Sequence, residues 1–396
     1  MAVQELLAES SELAAAALVL PGSDREPADA VLAWRERFQA AVAPQQPHLF
    51  KAVRFAQLQP ALDALFPLEA APAPRLLEYR DAVWIRGSGA LYDGRTGLAL
   101  PGSYLSRFPR QRQAPNCSTF RVELTHPLSA LPCLERAVLL PFAPCGNFGH
   151  FITETLGFLW PFLLDPGHDL TGWPVLLAGC QAVDPATTLV HALIRQRHGF
   201  PLLEEHLPAS LRIRQVLVPE PSLRLHGACT PTAIHSAEAL ADCLLAQQPF
   251  SLAPAEKLFI SRTALPGEVR SVDQEPALEA LLQARGWTVL HPEQHTLAEQ
   301  AGFYRAARVV AGFEGSALHG LALVGQASPG PGLVMLGDQS SPDYFLQFRA
   351  QGLPGFFIQC TRVDPDCSRP DWVRRRLLNG DPHQLAQLLE ALVAAF

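Results

Sequence analysis

Three short segments hold the residue types that acid–base and anion-binding chemistry require. In CGNFGHFITETLGFLW (145–160), Asn147 and Gly149 punctuate a loop, and His150 and Glu154 stand four apart, on one face of the helix that begins there. The dipole at a helix start favours a neutral histidine, which can then act as a base. A histidine that merely caps or packs a helix start would have the same spacing. In ISRTALPGEVRSVDQE (260–275), Ser261, Arg262 and Arg270 leave a strand and enter a loop that feeds a helix. Arginine forks and helix-start amides hold diphosphate oxygens; a solvated loop with a few ion pairs is the plainer alternative. In AGFEGSALHG (311–320), a strand ends at Phe313, Glu314 follows, Gly315 and Ser316 open the next helix, and His319 lies one turn on. A glycine there lets a phosphate approach the backbone, although a turn with a helix cap uses the same residues. Glu293 and Glu299-Gln300 border that crevice by topology or lie on the surface.

Alternation of apolar strands and helices supplies the frame for these loops. AVLLPF (137–142), a helix from about 149 to 163, PVLLAG (174–179), a helix near 185–198, RQVLVPE (214–220) and a helix near 231–247 come first. PFSLAP (249–254) reads as a linker. Beyond it come KLFISR (257–262), a helix near 274–285, WTVLHP (287–292), a helix near 296–307, RVVAGF (308–313), a helix near 316–324, GLVMLG (332–337) and GFFIQC (355–360). Short apolar strands between helices predict parallel sheets covered on both faces. The last helix opens with Asp381 as N-cap and Pro382 in its first turn. Ligands of such sheets bind beyond the carboxyl ends of the strands, where all three segments fall. Ahead of this alternation, 79–100 reads as a short hairpin or meander turning at Asp93-Gly94. Residues 1–75 form an Ala/Pro-rich extension with helical patches near 3–20 and 28–42. The expected division is therefore 1–75, 76–250 and 251–396.

The 396 residues are 48% hydrophobic and 17% charged, the composition of a folded chain with a relatively neutral surface. A net charge of −7 gives no global reason to bind nucleic acid. No GxGxxG, P-loop or GxSxG is present. Asp364-Pro365-Asp366 spells DxD, but it follows the final strand and such triplets arise by chance. The cysteines (117, 133, 145, 180, 229, 243, 360 and 367) have no zinc-site spacing and read as thiols of a reducing compartment. The apolar stretch 13–20 is too short to span a bilayer and lacks a basic leader. The expected location is the cytoplasm. An apolar amino-terminal helix and a neutral surface permit peripheral docking at a membrane.

Taken in order, the three segments resemble glycosyltransferase family 61. The family's N-[YF]-x-H-[WF]-x-x-E-x-L segment reads here as Asn147, Phe148, His150, Phe151, Glu154 and Leu156. Its I-S-R start is Ile260, Ser261 and Arg262, followed by Arg270, with Asp273-Gln274-Glu275 where the family has an Asn-Glu pair. Leu297, Glu299, Gln300, Ala307, Val309, Val310 and Gly312 match the next stretch, and Gly315, Ser316 and Leu318 match H-G-[AS]-x-L, with Glu314 at the family's histidine. The resemblance covers about 135–340. It implies an α/β chain of GT-B type: two facing Rossmann-like domains, the first for the acceptor and the second for the donor. It also implies inverting transfer from a UDP-sugar, without metal or cofactor, the nucleotide sugar being a co-substrate, to a glycan or lipid-linked acceptor. His150 would be the base, with Glu154 orienting it or the acceptor, and Asn147 on the acceptor side. Arg262, Arg270, Ser261, Glu314, Gly315, Ser316 and His319 would form the donor side. A carboxylate at 314 would repel phosphate, so either His319 has taken over the role, or the donor differs, or activity is reduced. A binding module that has lost catalysis and a sugar-nucleotide epimerase remain the alternatives.

Overall fold

A computed structural model describes residues 3–6, 27–43, 50–67, 72–86, 88, 90–103, 121–124, 127–141, 148–164, 169–177, 185–196, 200–202, 207–248, 255–265, 271–326, 330–338, 341–367 and 375–396. In chain order these include α1 (Pro27–Val42), β1 (Ala52–Arg54), α2 (Phe55–Leu65), β2 (Leu76–Ile85), β3 (Leu91–Asp93) and β4 (Cys133–Leu140). A broken helix over 148–163 follows, then β5 (Pro174–Leu177), α3 (Pro185–Gln196), β6 (Phe200–Leu202), β7 (Ser210–Pro219) and α4 (Pro231–Gln247). The remainder is β8 (Lys257–Ile260), α5 (Glu275–Gln283), β9 (Thr288–Leu290), α6 (Leu297–Ala306), β10 (Val309–Phe313), α7 (Ser316–His319), β11 (Gly332–Gly337), α8 (Pro342–Gln351), β12 (Gly355–Gln359) and α9 (Pro382–Val393). Two compact units result, one of residues 1–28 and 69–236, the other of 29–68 and 237–396.

The first unit is built on a six-stranded sheet of order β3-β2-β7-β4-β5-β6. β7, β4, β5 and β6 run parallel, but β2 lies antiparallel to β7 from Leu76↔Pro219 to Ile85↔Ser210. The expected lead-in hairpin is present, β2 pairing antiparallel with β3, and it is joined to the main sheet because β2 is long enough to pair along all of β7. The turn at Asp93 is as expected: its carboxylate accepts from the Arg95 and Thr96 amides at 3.0 and 2.8 Å. Val3–Leu6, expected as helix, pairs antiparallel with Arg121–Leu124.

The second unit holds a sheet of order β9-β8-β10-β11-β12-β1, parallel except for β1. Both faces of its four inner strands are largely buried, as a continuous apolar run requires. Phe259, Val309, Ala311, Val334 and Ile358 face α5 and α9 through Leu278, Leu282, Leu385 and Leu389. On the other side Phe38 of α1 meets Phe357 at 4.8 Å, and Trp34 and Phe55 meet Phe345 of α8 at 5.2 and 5.4 Å. Residues 29–68, expected within a separate extension, thus belong to this unit, and the boundary expected at 250 falls after Ser236. The apolar face of α1 is legible in the sequence, but its partner lies about 300 residues on. Caps set the helix ends: Thr296 and Glu299 form a reciprocal capping box on α6, and Asp381 accepts from the His383 amide at 2.9 Å on α9. α8 is a helix that the pattern does not announce, because its buried residues run almost all the way round it and leave no polar stripe.

Among the described residues no helix is long and apolar enough to cross a membrane. Cys133, Cys229, Cys243, Cys360 and Cys367 are thiols; Cys117, Cys145 and Cys180 lie outside the described residues.

Trp34→Ala should destabilise the second unit by about 3–5 kcal/mol, the usual cost of emptying a large aromatic site. Leu32→Ala, on the exposed side of α1, should stay within about 0.5 kcal/mol. Urea unfolding midpoints of the two variants check this; equal midpoints would separate 29–68 from the second unit.

Candidate active site

Within the second unit, the chain passes from β8 to β9 on one side and then crosses to β10 on the other. This second-first-third order creates a topological switch point, and the crevice that binds ligands in such sheets opens there, at the carboxyl ends of β8 and β10. Ser261-Arg262 follow β8, and Glu314-Gly315-Ser316 follow β10. Arg262 joins the two ends, its Nη1 donating to the Glu314 carbonyl at 2.8 Å. The guanidinium lies against Gly315, where a Cβ would stand 3.2 Å from Nη1. Gly315 thus lets the guanidinium pack closely without displacement. Ser316 is exposed at the start of α7. Arg270 lies outside the described residues, as does Asn147.

The Glu314 carboxylate does not simply face outward. Its Oε2 accepts from the Asp338 amide at 3.0 Å, beneath Gly337. A Cβ on Gly337 would overlap that oxygen, so glycine is required for the packing. Glu314 therefore ties the ends of β10 and β11 together. A narrow cleft, enclosing only about 20 Å3, is lined here by Arg262, Glu314, Asp338, Thr361 and Arg376 among others. Arg376 Nε donates to Asp338 Oδ1 at 3.1 Å, and both side chains are largely buried.

Behind Arg262 stands a carboxyl cluster. Glu275, 1% exposed, accepts from the Arg262 amide at 2.9 Å and from Ser261 Oγ at 3.4 Å. One turn along α5, Glu279 accepts from the Thr263 hydroxyl at 2.6 Å and also from Ser261. Burial pushes the Glu275 carboxyl up to about 7, outweighing the Arg262 amide and charge, and the Glu279 carboxylate adds to the rise. Asp273 acts elsewhere, where its Oδ1 accepts from the Leu378 amide at 2.8 Å and closes a strand edge. In place of the family's Asn-Glu pair, this chain thus has a backbone tie at Asp273 and a loop support at Glu275. The i, i+4 spacing of Glu275 and Glu279 could have revealed the cluster; nothing local in the sequence marks Asp338, Thr361 or Arg376.

Other candidates are engaged away from the crevice. The His319 ring stacks on Tyr344 at 4.2 Å, and its Nδ1 meets Gln347 Oε1 at 3.1 Å, which packs α7 on α8. Glu299 caps α6 and buried Gln300 donates to the Pro292 carbonyl at 2.8 Å, while Glu293 is exposed. In the DxD triplet, Asp364 Oδ1 accepts from the Asp366 amide at 3.0 Å, an Asx-turn. Among the described residues no group of three or more His, Cys, Asp or Glu could hold a metal ion.

In the first unit, His150 Nδ1 meets Glu154 Oε2 at 2.5 Å, with the histidine side chain 35% and the glutamate 3% exposed. The helix widens to a π-turn over Phe151–Thr155, its Phe151 carbonyl accepting from the Leu156 amide five residues on. A wider turn brings residues four apart closer to eclipsed, and such turns recur at functional sites. Thr153 Oγ1 donates to the Gly149 carbonyl at 2.8 Å, giving the displaced backbone a local partner. The segment is braced from outside: Ser222 Oγ donates to the Gly157 carbonyl at 3.0 Å and Trp160 Nε1 to the Glu220 carbonyl at 2.9 Å. Gly157 permits this approach, a Cβ there standing 3.3 Å from the Leu223 nitrogen. The contact orients the ring, and a carboxylate on Nδ1–H leaves the lone pair on Nε2.

Fold and sites together define an α/β chain with a switch-point crevice in one unit and a braced His–Glu pair in the other. The family model for glycosyltransferase 61 matches residues 148–331, which contain both. This region is a glycosyltransferase family 61 domain, and the chain is a glycosyltransferase. No curated protein sequence matches it. Among solved structures, the glycosyl transferase family 9 from Veillonella parvula DSM 2008 is similar at 8% identity, with TM-score 0.31, over 66% of this chain and 98% of that one. That likeness is too distant to bear on the site.

Because Glu275 is held at about 7 when folded and sits near 4.5 when unfolded, its contribution is fully present below pH 4.5 and is lost as pH rises to about 7. The loss is on the order of 3 kcal/mol. Glu275→Gln should flatten this part of the stability–pH curve, as measured by urea unfolding between pH 4.5 and 8. An unchanged slope would mean that Glu275 is ionised throughout.

Proposed function

We propose that the chain catalyses inverting transfer of a sugar from a nucleoside diphosphate donor, UDP first among the candidates, to a hydroxyl of a glycan or lipid-linked acceptor, with no metal or cofactor. The observation that carries this reading is the His150–Glu154 pair: a buried carboxylate holds Nδ1 of a partly exposed imidazole within the region the family model matches. His150 Nε2 takes the proton of the acceptor hydroxyl as its oxygen bonds to the anomeric carbon. The bond from that carbon to the diphosphate oxygen breaks on the opposite face, and the nucleoside diphosphate leaves with the electron pair. Arg262, aimed across the switch point, meets the developing charge on the diphosphate. Gly315 lets the phosphate lie close to the backbone.

His150→Ala should lower turnover by about two to four powers of ten, the usual worth of a general base. Glu154→Gln, which keeps shape but loses the carboxylate, should lower it less. Release of UDP from a screened donor–acceptor pair is the assay; near-normal turnover in His150→Ala would remove the histidine from the role. Conversion of the donor with no acceptor present would instead identify an epimerase.

A further inference from the structure

We propose that Glu275 and Glu279 are positioning residues for donor binding: two carboxyl groups one turn apart on α5 that clamp the Ser261–Thr263 loop and thereby aim Arg262 across the crevice. This rests on the reading of that crevice as a nucleoside diphosphate site. Neither group belongs to the cleft, which is lined by Arg262 and by Glu314, Asp338 and Arg376 on its other sides.

The grip is complete on the face of the loop turned away from the cleft. Glu275 takes the Arg262 amide and shares the single Ser261 hydroxyl hydrogen with Glu279, which also takes the Thr263 hydroxyl. Leu265 then donates to the Arg262 carbonyl at 3.1 Å and closes the turn. With its backbone fixed in this way, the arginine extends across the crevice, where Nη1 reaches the Glu314 carbonyl. An arginine on an untethered loop would lose side-chain and loop freedom on meeting a phosphate, and binding would be weaker by that ordering cost. Ser261 is 1% exposed, so its hydroxyl serves the clamp rather than a ligand. The clamp needs an acceptor oxygen at position 275. Glutamine supplies the same oxygen; leucine does not.

Calorimetric titration of the full chain with UDP, without added metal, tests the clamp. Wild type should bind, and Arg262→Ala should lose binding. Glu275→Gln should bind within about threefold of wild type, while Glu275→Leu and Glu279→Ala should bind about tenfold or more weakly, with far-UV circular dichroism unchanged. Rescue by glutamine separates positioning from mere packing. If Glu275→Leu fails to fold, Glu279→Ala, at a half-buried helix position, decides alone. Wild-type affinity in a folded Glu275→Leu or in Glu279→Ala, or equal losses in the glutamine and leucine variants, would overturn the clamp while leaving the donor site intact. Absence of UDP binding by wild type, or binding indifferent to Arg262→Ala, would overturn the donor site and the clamp with it.

Discussion

The hydrogen bond from Arg262 to the Glu314 carbonyl crosses the place where the second unit's sheet reverses its order of construction. On either side of a switch point the helical connections cover opposite faces, so no helix bridges the carboxyl ends of β8 and β10. A long, forked cation can span that gap where a short side chain cannot. Other local features follow from that placement. Gly315 gives the guanidinium room, Gly337 gives the Glu314 carboxylate room, and α5 holds the loop from behind.

Much of this frame is legible in the sequence. Strands such as KLFISR and GLVMLG are short apolar runs between helices, and periodicity alone marks them. The reversal of order is not legible, since pairing between strands far apart in the chain leaves no trace in local pattern. Nor is the split of duties at 273–275, because Asp273 and Glu275 differ in the backbone groups they reach, Leu378 in one case and Arg262 in the other. Glu314 shows the same limit. Its type alone predicts repulsion of a ligand, but its environment turns one oxygen onto a backbone amide.

The first unit uses a different device for a similar end. A regular α-helix over 148–163 would be the simplest structure for that sequence, yet the helix widens and breaks. The spacing of His150 and Glu154 suggests a shared face, and the π-turn makes that face tighter than spacing alone predicts. Its bracing by Ser222 and Glu220 comes from a loop with no chemistry of its own. Rigid support of this kind is what a proton-transferring pair needs, since small displacements cost large factors in rate.

Residues 29–68 complete the second unit's sheet from the far end of the chain. During synthesis, α1 emerges with its Trp34–Phe38 face uncovered, and the strand that accepts it, β12, follows about 300 residues later. At about 5–20 residues per second that interval is tens of seconds. The first unit's residues 69–236 emerge and can close while the amino-terminal piece of the second is still waiting. The nascent chain therefore carries an aromatic ridge whose native partners are missing through most of its translation. The same interleaving means that neither unit can be exchanged between relatives as a single cut of sequence.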